Sequence, residues 1–188
     1  MSRQADRVID AALACWARVG LAKTTLDDVA REAGCSRATV YRHFPGKQPL
    51  VAAAIGREAD RLSAEVVDAA APSPTLADAA VAVVTTGARL LMSHGALAFV
   101  VTVEPESILP HISFAGGDAL LAEVARRIAP AFTPYLAPEH THRFAEWLAR
   151  MSLSYLCSAE GHELLDEARV RTLVEDFVLP GFLQGVTR

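Results

Sequence analysis

Ser36, Arg37, Ala38, Thr39, Tyr41, Arg42 and His43 lie within eight consecutive residues, and Lys47 follows four further on. Side chains of these types at this density suit the reading of nucleic acid. An Arg fork can grip guanine O6 and N7 together, a Thr offers a hydroxyl or a methyl, and a small Ala lets a helix come close to the base edges. Tyr, Ser and Lys suit phosphate oxygens, as does an open helix N-terminus. No catalytic constellation competes with this reading. The chain has no G-x-S-x-G, no H-E-x-x-H and no Gly-rich phosphate loop, so no enzymatic activity and no cofactor is expected.

Two short helices must position these side chains. Thr25 is a good N-cap with Asp28 three residues on, close to a capping box. Leu26, Val29, Ala30 and Ala33 follow as one apolar stripe, and Gly34 ends the helix. After Cys35, Ser36 caps a second helix, Arg37 to Phe44. A three-residue connection, Gly34 to Ser36, is the turn of a helix-turn-helix. On the second helix Val40 and Phe44 share the side that packs on the first. Arg42 centres the opposite side with Ala38 and Thr39 beside it, Tyr41 and His43 flank it, and Arg37 stands at the N-terminal end that enters a major groove first.

The run T-T-L-D-D-V-A-R-E-A-G-C-S-R-A-T-V-Y-R-H-F-P-G-K at 24–47 resembles the DNA-binding signature of TetR-type transcriptional regulators, over roughly residues 5 to 55. The resemblance implies a phosphate contact for Thr25, base or adjacent backbone contacts for Arg37, Thr39 and His43, and phosphate contacts for Tyr41 and Lys47. Arg42 occupies a variable position in that family, and its place among the reading residues comes from the helical wheel alone.

The chain has 188 residues and a net charge of −4, which would be odd for a DNA binder if evenly spread. It is not: residues 1–47 hold eight Lys and Arg against five acids, and the acidic excess lies after them. Cys15, Cys35 and Cys157 are odd in number and far apart, so neither a disulfide framework nor a metal site is expected. The N-terminus is polar with no signal peptide. The longest apolar stretch, Leu76 to Met92, is interrupted by Asp78, Thr85, Thr86 and Arg89. A cytoplasmic protein without membrane association is expected.

The remaining pattern predicts an all-α fold. A first helix with Val8, Ile9, Ala12, Leu13, Trp16 and Val19 inward completes a three-helix DNA-binding domain, residues 1–46. A connecting helix spans 47–70, closed off by Ala-Pro-Ser-Pro, and a larger helical domain for effector binding and dimerisation spans 71–188. Residues 75–94 are apolar on nearly every face, so a central buried helix is expected there. Arg89 within it either pairs with Glu104 or Glu106, the simpler reading, or anchors an acidic ligand group. The composition of 97–103 favours a strand, whereas the family resemblance implies a helix; a solitary strand would have no partner, so a helix is expected. Glu104 to Gly117 is expected to be a loop or broken helix.

Two seams with 4, 3, 4 spacing close the chain: Phe144, Leu148, Met151, Tyr155 and Val170, Val174, Phe177, Gly181. Phe144, Leu148, Ser154, Ser158, Val170, Val174 and Phe177 are expected at a homodimer interface made of two helices from each subunit, where the resemblance also implies one. His140 and His142 at i, i+2 do not point one way and read as exposed polar residues; His94 and His111 read as hydrogen-bonded structural histidines. An effector pocket is expected among Arg89, Met92, Phe99, Val103, Phe114, Leu121, Trp147, Met151 and Tyr155, suited to a hydrophobic or amphipathic small molecule. Together these features describe a ligand-responsive regulator, a repressor by preference, that binds a palindromic double-stranded DNA operator as a homodimer. The alternatives are a constitutive DNA-binding protein with no effector, and a small-molecule-binding protein or enzyme whose N-terminal bundle is structural.

Overall fold

The computed structural model describes residues 2–107, 117–158 and 161–186, with the side chains of 117–120, 161 and 183–186 excepted. Every regular element among the described residues is helical. The contacts divide the chain into two compact units, Met1–Ala59 with Ser93–Leu109, and Asp60–Met92 with Pro110–Arg188.

In the first unit, α1 (Arg3–Val19) starts at Ser2, whose hydroxyl accepts from the Ala5 N–H, and stops at Gly20, which takes a positive φ of 85°. Its buried side is Ala5, Val8, Ile9, Ala12, Cys15 and Trp16, while Val19, expected inside, is exposed. Burial raises the Cys15 thiol pKa. Against α1 pack α2 (Leu26–Glu32) and α3 (Arg37–His43), and then the start of α4 (Lys47–Ala70) follows. The unit boundary falls inside α4, a helix of roughly 36 Å at 1.5 Å per residue.

The first unit also contains α6 (Gly95–Val103), which lies along α1. The run at 97–103 is thus helical, as the family resemblance implied. No strand pairs with it among the described residues, and Ala96, Val100 and Val101 are buried. His94 opens this helix: its Nδ1 accepts from the Leu97 N–H at 3.3 Å, and its Nε2 lies 3.4 Å from the buried Glu58 carboxylate on α4. The structural reading of His94 therefore holds. Phe99 and Val103, expected to line an effector pocket, belong to this unit instead. Phe99 lies against Gly20 of the α1–α2 turn, and Val103 is 59% exposed.

The second unit comprises the end of α4, α5 (Leu76–Ser93), α7 (Gly117–Ile128), α8 (Pro138–Leu156), α9 (Glu167–Leu173) and α10 (Leu179–Val186). By length and composition α5 could cross a bilayer, but Ala79, Ala80, Val81, Val83, Val84, Thr85 and Ala88 are buried by packing. The buried Thr85 hydroxyl donates to the Val81 carbonyl. Arg89 stands on the exposed side, and Glu104, one of its two expected partners, accepts from the Ala22 N–H of its own unit. The core centres on Phe132, edge-on to Phe144 at 4.9 Å, with Phe182 against Phe144 at the same separation. Tyr135 donates to the Ser73 carbonyl, and Arg171 bridges to Asp78 at 2.9 Å, tying α9 to α5.

The C-terminal seams differ from expectation. Between α9 and α10 the chain makes one wide π turn, Val174–Val178, just before Pro180. Proline has no N–H to give and crowds the carbonyl four residues back, and a wide turn relieves both. The turn shifts the helical phase, so Val170, Val174 and Val178 point inward and Phe177 is turned out, 69% exposed. Phe144 and Leu148 are likewise fully buried within their own unit, so these two, with Val170 and Val174, do not offer a surface to a partner. Of the expected pocket residues in this unit, Leu121 is buried, Met92, Met151 and Tyr155 are partly buried, and Trp147 points outward, 45% exposed. Phe114 and His111 lie outside the described residues.

Candidate nucleic-acid interface

The helix-turn-helix is built from local bonds. The Thr25 hydroxyl accepts from the Asp28 N–H, and the Asp28 carboxylate accepts from both the Thr25 N–H at 3.0 Å and its hydroxyl at 2.6 Å. The Thr25 hydroxyl is the main reason the Asp28 pKa is lowered, with Arg31 adding to it. At the other end of α2, Gly34 adopts a φ of 59°, a left-handed setting that favours glycine. Arg7 of α1 donates to the Ala33 carbonyl at 2.8 Å, satisfying an otherwise orphaned acceptor at the helix end. Arg18 of α1 holds Glu32 at 2.6 Å. Both of these contacts fix the end of α2 from α1.

Ser36 caps α3 by accepting from the Thr39 N–H, and its oxygen lies 3.0 Å from the Thr39 hydroxyl. Val40 is fully buried and Phe44 nearly so, on the side facing α2. Arg37, Ala38, Tyr41 and Arg42 are exposed, as the helical wheel predicted. Thr39 and His43, predicted on or beside the same face, are partly buried. Arg37 is held in place: it donates to Asp27 of α2 at 3.1 Å and to the Tyr41 hydroxyl at 3.3 Å, with its guanidinium over the Tyr41 ring. Tyr41 first and Asp27 second raise its pKa. A guanidinium has five N–H donors, so others are left for a base or phosphate. Lys47 donates to the Ala22 carbonyl at 3.0 Å, which uses one of its three N–H groups.

Sequence reasoning missed two residues that set this surface: Asp27, which orients Arg37, and Glu104, which accepts from the Ala22 N–H at 3.0 Å. Asp27 was visible only as a polar residue off the apolar stripe. Glu104 offered a faint signal, a single acid ending an apolar run.

Residues 8–54 match the family profile of bacterial regulatory proteins of the tetR family. A helix-turn-helix transcriptional regulator of Mycobacterium tuberculosis is 33% identical over 180 residues, covering 94% of this chain and 84% of the relative. The chain belongs to the TetR family. Solved TetR-type structures agree in fold. The repressor AlkX of Dietzia sp., implicated in n-alkane biodegradation, superposes with a TM-score of 0.73 at 19% identity over 97% of this chain and 96% of AlkX. FadR of Bacillus subtilis, solved with stearoyl-CoA, gives 0.64 at 14% identity over 89% of this chain and 96% of that one. As a TetR-family transcriptional regulator, the chain carries its DNA-binding helix-turn-helix at α2 and α3.

Proposed function

We propose that the protein is a ligand-responsive repressor that binds a palindromic operator as a homodimer, in the cytoplasm. The observation that carries this is the exposed, capped α3 with Arg37 pre-oriented on it. Arg37, Ala38, Thr39, Arg42 and His43 read base edges in the major groove, while Thr25, Ser36, Tyr41 and Lys47 hold the flanking phosphates.

Pairing of subunits uses the outer face of α8, with Trp147 and Ser154 on it seven residues apart and Ser158 just past its end, together with Phe177 and Gly181. Trp147 and Phe177 are large apolar side chains left in water by the single subunit, and around Gly181 the space is open. The effector is a hydrophobic or amphipathic small molecule held in the second unit, with Met92, Leu121, Met151 and Tyr155 as its apolar contacts and Arg89 at their polar edge. It releases DNA only by its differential affinity for the free and DNA-bound states.

Nuclease footprinting on the DNA upstream of the protein's own gene tests this reading. The expected pattern is two protected half-sites about one helical turn, or a multiple of it, apart. Uniform cleavage at concentrations that coat random duplex would overturn it.

A further inference from the structure

The turn between α1 and α2 is built around a carboxylate that arrives from 82 residues further along the chain. Glu104, just past the end of α6, is 8% exposed, and its Oε2 accepts from the Ala22 N–H at 3.0 Å. Gly20, at a φ of 85°, leaves room for it: a Cβ there would stand 2.2 Å from Glu104 Oε1. The same short turn makes two further bonds. The buried Thr24 hydroxyl donates to the Gly20 carbonyl at 2.6 Å, and the Ala22 carbonyl receives the Lys47 ammonium at 3.0 Å. Thr24 leads directly into Thr25, the cap of α2.

We infer that Glu104 is a positioning residue for DNA binding, its carboxylate holding the Ala22 peptide so that Thr25 and Lys47 are set at phosphate positions. This rests on the operator-binding reading above. Ala22 is gripped from both sides, by Glu104 at its N–H and by Lys47 at its carbonyl. Folding alone gives a poor reason for the arrangement. Ala22 is exposed, so water would satisfy its N–H, and α6 already docks through Ala96, Val100 and Val101. Burying a carboxylate costs free energy that these contacts do not require. What the carboxylate adds is a fixed orientation for the turn, and with it for the two residues that follow the phosphate backbone.

The test compares Glu104→Met, which keeps the length but removes the acceptor, with Glu104→Gln, which keeps an acceptor oxygen. In full-length protein, the Met variant should exchange its Ala22 amide about tenfold faster. It should bind operator and random duplex about tenfold more weakly alike, and its log affinity against log salt should flatten by about 1 to 2, the slope of one or two lost phosphates. The Gln variant should stay near wild type. Combined with Lys47→Ala, the Met substitution should cost less than it does alone, because the two share the Lys47 contact. If the Met chain does not fold, Glu104→Asp, one methylene short of Ala22, replaces it with the same expected direction. Wild-type affinity and slope in the Met or Asp variant, equal losses in Met and Gln, or full additivity with Lys47→Ala would each overturn the inference while leaving the function intact. Failure of the wild type itself to prefer its operator would remove both.

Discussion

Arg37 would meet DNA already oriented by Asp27 and Tyr41, so little side-chain freedom is left to lose on binding. Arg42 and Thr39 belong to the same short helix, and Arg42 is exposed on it, which suits the pair to discriminate bases. Thr39→Ala or Arg42→Ala is therefore expected to reduce the preference for operator over altered operator by about tenfold at the contacted base pair, with random-duplex affinity little changed for Thr39→Ala. Lys47→Ala is expected to weaken all sequences alike and flatten the salt slope by about 1. Competition binding against single-base operator variants separates the two patterns; a sequence-selective Lys47→Ala would contradict the assignment. The helical wheel alone made the exposure of Arg42, Ala38 and Tyr41 legible, because exposure follows from 100° per residue once the apolar face is known. The hold of Asp27 on Arg37, and of Glu104 on Ala22, was not legible. Each depends on how one helix lies on another, across 10 and 82 residues of sequence.

The start of α2 was written locally and was readable, and Thr25 with Asp28 closes as a side-chain cap. Thr75 with Asp78 closes in the same way ahead of α5, a cap that the apolar character of 75–94 overshadowed. Asp78 does a second thing the sequence hides, accepting from Arg171 of α9. The Thr75 hydroxyl first and Arg171 next hold the Asp78 pKa below the usual aspartate value. A depressed folded-state pKa contributes stability above the ordinary aspartate range and loses it as pH falls through the lowered value. Asp78→Asn is thus expected to melt below wild type at neutral pH, with the gap closing as the pH falls below the ordinary aspartate pKa of about 3.9. Thermal unfolding at several pH values checks this, and a gap independent of pH would contradict it. The C-terminal helix was misread because a 4, 3, 4 apolar spacing assumes an unbroken α-helix. Pro180 and the π turn before it change the phase, and the inward set becomes Val170, Val174 and Val178. The apolar run at 97–103 was ambiguous for a different reason: β-branched composition argues for a strand, and only the absence of a partner strand decides for α6.

At the scale of the molecule, the basic segment 1–47 lies within the unit that carries α3, although that unit also takes in Glu58, Glu104 and Glu106, which narrow its positive excess. The division into units was only partly legible. Apolar composition suggested that 97–103 belonged with the effector domain, yet α6 completes the first unit, because its small and β-branched side chains fit along α1. The subunit alone leaves Trp147 and Phe177 in water. Trp147→Glu, at an exposed position, is expected to leave the fold intact, convert dimer to monomer in sedimentation, and cut operator affinity by well over tenfold, since each half-site would then be held singly. A Trp147→Glu variant that stays dimeric would move the interface elsewhere. The most direct measurement of the whole account is the affinity of the wild-type protein for its own upstream DNA and for random duplex of equal length, followed across a salt titration. A sequence-specific repressor should prefer the upstream DNA by about a thousandfold or more near physiological salt, with both affinities falling steeply as salt rises. Equal affinity for the two duplexes at every salt concentration would contradict it.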